Sequence, residues 1–224
     1  DLKSMIKVWR GRLPDAKGKY YYWESILKWR LHVFDAISKL LSADGAASDG
    51  VDDEHRAHMA SLQDTPYTVV RLTKAARHHK LHDISLSTIS KLDTVTTMDI
   101  DNAFAKVREH IACYLHTNTT TSTNIGSFIG TSGPDGSEGS IGMSIREQRL
   151  KGLRMIENTN LDYFGPQQRA ELFRLKGVFH VHLGNVAEAQ QAYSESIQNG
   201  SSSFSKTWLC WGILCDQMGR LQTI

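Results

Sequence analysis

Four glycines near the end of the chain constrain its fold more than any other feature. Gly177 and Gly184 are seven residues apart, and Gly212 and Gly219 repeat that spacing 35 residues later. The stretch over 170–219 is therefore interpreted as a pair of helices followed by the first helix of a second pair. Because one helix pair cannot bury its own apolar face, such units are expected to stack.

The first glycine of each pair is expected to lie where two helices cross. At Gly177 and Gly212 a side chain would hold the helices apart, so the crossing must offset the ~1 kcal/mol by which glycine disfavours a helix relative to alanine. Ala189 and Tyr193 follow at positions where the second helix needs a small contact and then a large one. This pattern is close to the tetratricopeptide repeat of ~34 residues. The expected fold is an all-α, tetratricopeptide-like helical-repeat solenoid.

The second glycine of each pair is expected to end its helix. Gly184 and Gly219 each follow an apolar residue, and glycine adopts the left-handed backbone of a helix C-cap without a Cβ clash. Asn185 is then expected to cap the next helix, with Glu188 completing a capping box.

Upstream of this repeat, apolar periodicity predicts further helices separated by polar loops. They are expected over 20–41, over 65–79 with Thr65 as N-cap and Pro66 in the first turn, over 81–92 with Asp83 as a candidate cap, over 98–116, over 144–158, and from Pro166 onward. Residues 42–53 are expected to be a loop. The predicted organisation is helical repeats over 1–116, a flexible Ser/Thr/Gly-rich insertion over 117–143, and helical repeats over 144–224.

Composition and charge narrow the function classes. The net charge is +2, so neither direct nucleic-acid binding nor a membrane surface is predicted. No apolar run approaches the ~18 residues of a membrane span. The three cysteines, Cys113, Cys210 and Cys215, form no metal-binding spacing. Their odd number and the lack of a dense disulfide framework favour a reducing compartment.

Clusters of reactive residues are interpreted as structural rather than catalytic. His78, His79 and His82 precede Asp83, but a helix end expected at Leu81 separates them, so no metal site is predicted. His180 and His182 are two apart and point to different faces of a helix.

Two further groups of residues lack the neighbours that nucleotide binding or cysteine catalysis requires. The glycines at 126, 130, 133, 136, 139 and 142 have no lysine to reach a phosphate, so they are not a nucleotide loop. Cys210 and Cys215 lie among apolar residues and are expected to pack in the core. No catalytic, cofactor-binding or metal-binding residue is therefore assigned.

Three longer strings carry a resemblance to a known family. Residues 19–37, 65–81 and above all 157–185 resemble the FAT region of the transcription-associated, pseudokinase branch of the phosphatidylinositol-3-kinase-related family, and residues 193–218 continue the match. Lys176 and His180 depart from the generic repeat, which prefers leucine and tyrosine there.

The resemblance implies a nuclear, non-catalytic scaffold. Its implied partners are other subunits of histone acetyltransferase complexes of the SAGA and NuA4 types, transcription activators, and the rest of the same large chain. The first alternative is the regulatory helical region of an active kinase of that family. The second is a stand-alone peptide clamp, for which Arg174 and Val178 stand on the relevant turn but an expected asparagine is missing.

Overall fold

The helices of this chain are defined in a computed structural model that describes residues 2–15, 18–44, 51–95, 98–116, 138–200 and 205–222. Across these ranges the backbone forms α-helices, one 3-10 helix over Ser90–Thr94, and no strand, which confirms the predicted all-α class. The α-helices are α1 (Leu2–Gly11), α2 (Tyr20–Asp44), α3 (Val51–His78), α4 (His82–Ile89), α5 (Ile100–Leu115), α6 (Glu138–Glu157), α7 (Pro166–Leu183), α8 (Val186–Asn199) and α9 (Ser205–Gln222). One compact unit covers Asp1–Glu109 and a second covers His110–Ile224.

The first unit is organised around α3, which packs on α1, α2 and α4. One apolar cluster joins α2 to α3 through Trp23, Leu27, Leu72 and Ala75. A second cluster joins α3 to α4 and the 3-10 helix through Val69, Val70, Ile89 and Leu92. Burying apolar side chains on both sides of α3 provides the main driving force for this unit.

Two buried acidic residues on the helices of this unit have basic partners. Asp64 on α3 is 1% exposed, and its Oδ1 accepts a hydrogen bond from Arg10 Nε at 2.7 Å. Glu109 on α5 is also 1% exposed, and its Oε1 accepts from Arg77 Nε at 2.6 Å. A buried charge without a partner costs free energy, so separating either pair is unfavourable. The two pairs therefore hold α1 and α5 against α3.

The second unit contains the predicted repeat. α7 packs along α8 as an antiparallel pair, α6 packs on α7, and α9 packs on both members of the pair. The apolar cluster between α8 and α9 is formed by Ala189, Tyr193 and Leu214. The predicted helix pair followed by a further helix is therefore confirmed.

The loop predicted over 42–53 is wrong at both of its ends. α2 runs on to Asp44 and α3 begins at Val51, while residues 45–50 lie outside the described residues. Thr65 is not an N-cap, because Pro66 lies inside α3. Proline favours a first turn, yet it is tolerated here inside a helix at the loss of one backbone hydrogen bond.

Other boundaries differ as well. α6 begins at Glu138 rather than at residue 144, and residues 117–137 lie outside the described residues. The helix predicted over 81–92 is α4 with the 3-10 turn that follows it. α1 was not predicted, because Lys3, Lys7 and Arg10 give the stretch a basic character, although half of its residues are apolar and recur at steps of three and four.

Candidate interaction surface

Gly177 lies at a helix crossing, as predicted. A Cβ atom on Gly177 would come within 2.5 Å of Tyr193 Cε1, which is far inside contact distance. Tyr193 is 2% exposed, so its ring has no room to withdraw. The backbone of α7 therefore forms the surface on which the Tyr193 ring of α8 packs, and the glycine permits this approach.

Gly184 ends α7 in the way that was predicted. Its φ of 82° is left-handed, and its N–H donates to the carbonyl oxygens of the last turn of α7. Asn185 occupies the N-cap of α8, but its side chain makes no capping hydrogen bond, so the predicted capping box with Glu188 is wrong. Glu188 points instead to a surface cavity described below.

Gly219 was predicted to end a helix and does not. α9 continues to Gln222, and among the described glycines only Gly184 has a positive φ. The turn at Gly184 is fixed because α8 packs back along α7, and no described helix follows Gly219 to fix an equivalent turn. The glycine alone does not terminate the helix.

Gly212 occupies the same repeat position as Gly177, but no described helix crosses α9 there, so the predicted crossing is not found. A Cβ atom there would meet nothing within 4 Å. Around it α9 exposes large apolar side chains, with Trp208 52%, Leu209 65% and Ile213 44% exposed. We call these three residues and Gly212 the open face of α9. It is the surface of the second unit best suited to a contact with another helix.

The other face of α9 is held to the α7–α8 pair by polar contacts as well as by the apolar cluster. Ser196 Oγ donates to the carbonyl oxygen of Ala170 at 2.7 Å, so Thr207 Oγ1, 2.9 Å away, donates to Ser196. Arg174 is ion-paired with Glu171 and lies 3.8 Å from Cys210 Sγ. Because these groups are buried or half-buried, the position of α9 on the pair is well specified.

The cysteines are only partly in the core. Cys113 is buried and Cys210 is half-buried against the α8–α9 cluster, but Cys215 is exposed, so its predicted core position is wrong. Cys215 occupies the repeat position of His180, which the α7–α8 pair buries. Without an equivalent helix beside α9, the same position faces solvent. In the described part of the chain, none of the three cysteines forms a disulfide.

The histidines predicted not to bind metal are separated by a chain reversal. α3 ends at His78, Lys80 adopts a φ of 61°, and α4 begins at His82. The rings of His78 and His82 therefore do not lie on one helix. Asp83 lies in the first turn of α4 and is not its N-cap. In the described part of the chain, no three His, Cys, Asp or Glu side chains are placed to hold a metal ion.

Of the glycines in the polar tract, those at 139 and 142 lie in α6 and the others lie outside the described residues.

Gly152 is a structural position that sequence analysis missed. A Cβ atom on it would lie 2.4 Å from Cζ of Phe179 and 3.0 Å from Cβ of Tyr114. Phe179 is fully buried, so α6 approaches α7 here as closely as α8 does on the other side. The periodicity of Gly177 and Gly212 could not reveal Gly152, because it lies outside the 35-residue repeat.

Acid is expected to destabilise the second unit through His182. Burial, followed by the charges of Arg149 and His116, lowers the pKa of His182 to about 4. In the unfolded chain its pKa is ~6.5, so as the pH falls below that value the unfolded state gains a proton that the folded state rejects. The free energy of unfolding should therefore drop as the pH falls from 6.5 towards 4, by on the order of 3 kcal/mol from this residue alone.

The measurement is the urea unfolding free energy of the chain and of its His182→Gln variant across that pH window. The variant should show a shallower decline, because glutamine does not titrate. Parallel curves for the two proteins would contradict the assignment.

None of the described helices contains a stretch long and apolar enough to cross a lipid bilayer. Large apolar side chains are exposed on the open face of α9 in the second unit and, in the first unit, at Tyr21, Tyr22 and Trp29 of α2.

Comparison with known proteins connects this arrangement to one group of very long chains. The sequence is 28% identical over 212 residues to the "Transformation/transcription domain-associated protein" of Mus musculus, covering 95% of this chain and 7% of that relative. It is 27% identical over 220 residues to the Homo sapiens protein of the same name, covering 95% and 5%.

A yeast relative carries a more explicit name. The "SAGA complex/NuA4 acetyltransferase complex subunit TRA1" of Saccharomyces cerevisiae is 27% identical over 221 residues, covering 97% of this chain and 5% of the relative. The chain thus spans less than a tenth of the length of these relatives. The resemblance predicted from the sequence is confirmed, and since the FAT domain model matches residues 1–222, the chain belongs to the FAT domain family.

Proposed function

We propose that this chain is a non-catalytic scaffold segment of a nuclear histone acetyltransferase complex of the SAGA or NuA4 type. The observation that carries the proposal is the similarity along 97% of the chain to a yeast protein named as a subunit of both complexes. The proposed partners are other subunits of such a complex and the transcription activators that recruit it. The proposed role of the segment is to bind other proteins, and no residue in it is assigned a catalytic role.

The rest of the same long chain is the proposed occupant of the open face of α9. Gly177 accepts the Tyr193 ring of α8, and Gly212 stands 35 residues later with the same space empty. A helix carrying an aromatic side chain would pack on Gly212 as α8 packs on Gly177. It would cover Trp208, Leu209 and Ile213, and would complete the second helix pair.

To test this, the chain is tagged, expressed from its own promoter and purified from nuclei by affinity for the tag. Acetylation of histone substrates by the purified material, lost when the tagged chain is depleted, would support the proposal. Purified material without acetyltransferase activity would refute it. Transfer of phosphate from ATP by the material would favour the alternative of a regulatory region belonging to an active kinase.

A further inference from the structure

A small polar cavity opens on the second unit where α8 packs beside α7 and the end of α6. Its volume is about 190 Å³. Three glutamates line it, Glu157 from α6 together with Glu188 and Glu195 from α8, and Lys176 and His180 line it from α7. With His180 neutral, the lining carries a net charge of −2 from three carboxylates and one ammonium group.

The charges around this cavity are not neutralised by each other. Lys176 forms no ion pair with any of the three glutamates. Among the described residues, the one hydrogen bond to their carboxylates is from Gln191 Nε2 to Glu195 Oε1, at 2.9 Å. A carboxylate offers about four acceptor sites on its two oxygens. The cavity therefore presents a set of acceptors that a positively charged donor can use.

His180 is the one histidine among the residues that line the cavity. The residue is only 7% exposed, and its Nδ1 is buried without a hydrogen-bond partner in the described part of the chain. Buried polar atoms of folded proteins are nearly always paired, because an unpaired one costs about 1–3 kcal/mol. Burial and the nearby Lys176 charge lower the pKa of His180, so the ring is neutral and one of its nitrogens is an acceptor.

We propose that this cavity binds a lysine or arginine side chain from a basic segment of a protein partner. The ammonium or guanidinium group would lie among Glu157, Glu188 and Glu195, beside the neutral ring of His180. Since one water occupies about 30 Å³ of liquid, the cavity has room for the charged head and upper stem of one such side chain. An anionic ligand would meet three carboxylates, and an apolar one would leave them and His180 unpaired.

The site is tested by titrating the isotopically labelled chain with a capped Gly-Gly-Lys-Gly-Gly peptide and following backbone amide signals by NMR. Saturable shifts should centre on Lys176, His180, Gln191 and Glu195. They should weaken with rising salt, because the interaction is between opposite charges. The same peptide carrying Nε-acetyl-lysine should give none, since acetylation removes the charge.

Matched variants separate the cavity from general electrostatics. Glu188→Gln should weaken peptide binding by about three- to fivefold, the range of a partly exposed charge pair. Glu147→Gln on α6 removes the same charge from an exposed glutamate that pairs with Lys151, and it should leave the affinity unchanged.

Three outcomes would overturn the proposal. The first is equal binding of the lysine and acetyl-lysine peptides. The second is equal weakening by Glu188→Gln and Glu147→Gln. The third is saturable binding of spermidine at these amides when the peptide produces no shifts, since the ligand would then be a free polyamine rather than a protein segment.

Discussion

Replacing Glu109 with alanine is expected to destabilise the first unit by about 3–5 kcal/mol, the cost of removing one partner from a buried ion pair. Glu109 and Arg77 have side chains that are only 2% and 12% exposed, with 2.6 Å between Oε1 and Nε. Glu109 also offsets the burial that lowers the pKa of Lys74. Without it, Arg77 and Lys74 remain close together and uncompensated, so α3 and α5 should separate.

The loss is measured as the denaturant unfolding free energy, together with hydrogen exchange of the amides of α3 and of residues 100–109 of α5, which belong to this unit. Asp93→Ala is the matched control, because Asp93 is exposed in its 2.8 Å pair with Lys106 and should cost under about 1 kcal/mol. The double replacement Arg77→Met with Glu109→Leu should recover much of the loss. Equal effects of Glu109→Ala and Asp93→Ala would show that burial does not matter here.

Gly177→Leu is expected to be the most damaging single change in the second unit. Its Cβ alone would overlap the buried Tyr193 ring, so the α7–α8 pair must move apart, at about 1–3 kcal/mol or more for overpacking. Gly177→Ala should also destabilise, although alanine regains up to ~1 kcal/mol of helix propensity. Thermal unfolding of the two variants, with amide exchange in α7 and α8, measures both effects.

Gly212→Ala provides a control at the same repeat position and is expected to act in the opposite direction. No atom lies within 4 Å of the new Cβ, so the chain gains only the helix preference of alanine, about 0.5–1 kcal/mol. A loss of stability in Gly212→Ala as large as that in Gly177→Ala would contradict the account of the crossing. Tyr193→Leu should reduce the penalty of Gly177→Ala, because it removes the ring that the new Cβ meets.

The parts of the fold that were predictable were those fixed by local chemistry repeated at a regular interval. The contacts of Gly177 with Tyr193 and the C-cap at Gly184 follow from spacing, because each needs a residue without a side chain at one position. Gly219 shows the limit of this reasoning. It has the spacing of a C-cap, but the packing of a following helix decides whether the chain turns.

The remaining features depend on contacts between distant parts of the chain. Pro66 has the local signature of a helix start, and only the helical backbone before it shows otherwise. Gly152 is explained by Phe179, which is 27 positions away in sequence. The acidic cavity joins Glu157, Lys176 and Glu188 from separate helices, so no stretch of sequence contains it.

The open face of α9 has a consequence for how motion is distributed along the second unit. α9 buries one side only, so its backbone hydrogen bonds should open at a lower free energy than those of α7, which is covered by α6 on one side and α8 on the other. In arrays of repeats the stability of each unit includes a term from its neighbour. A helix bound over Gly212 would therefore slow amide exchange first in α9 and, through Thr207 and Ser196, in α8. Binding of a helix to the open face would thus be detected as slower amide exchange in two helices, α9 and α8, although the bound helix does not contact α8.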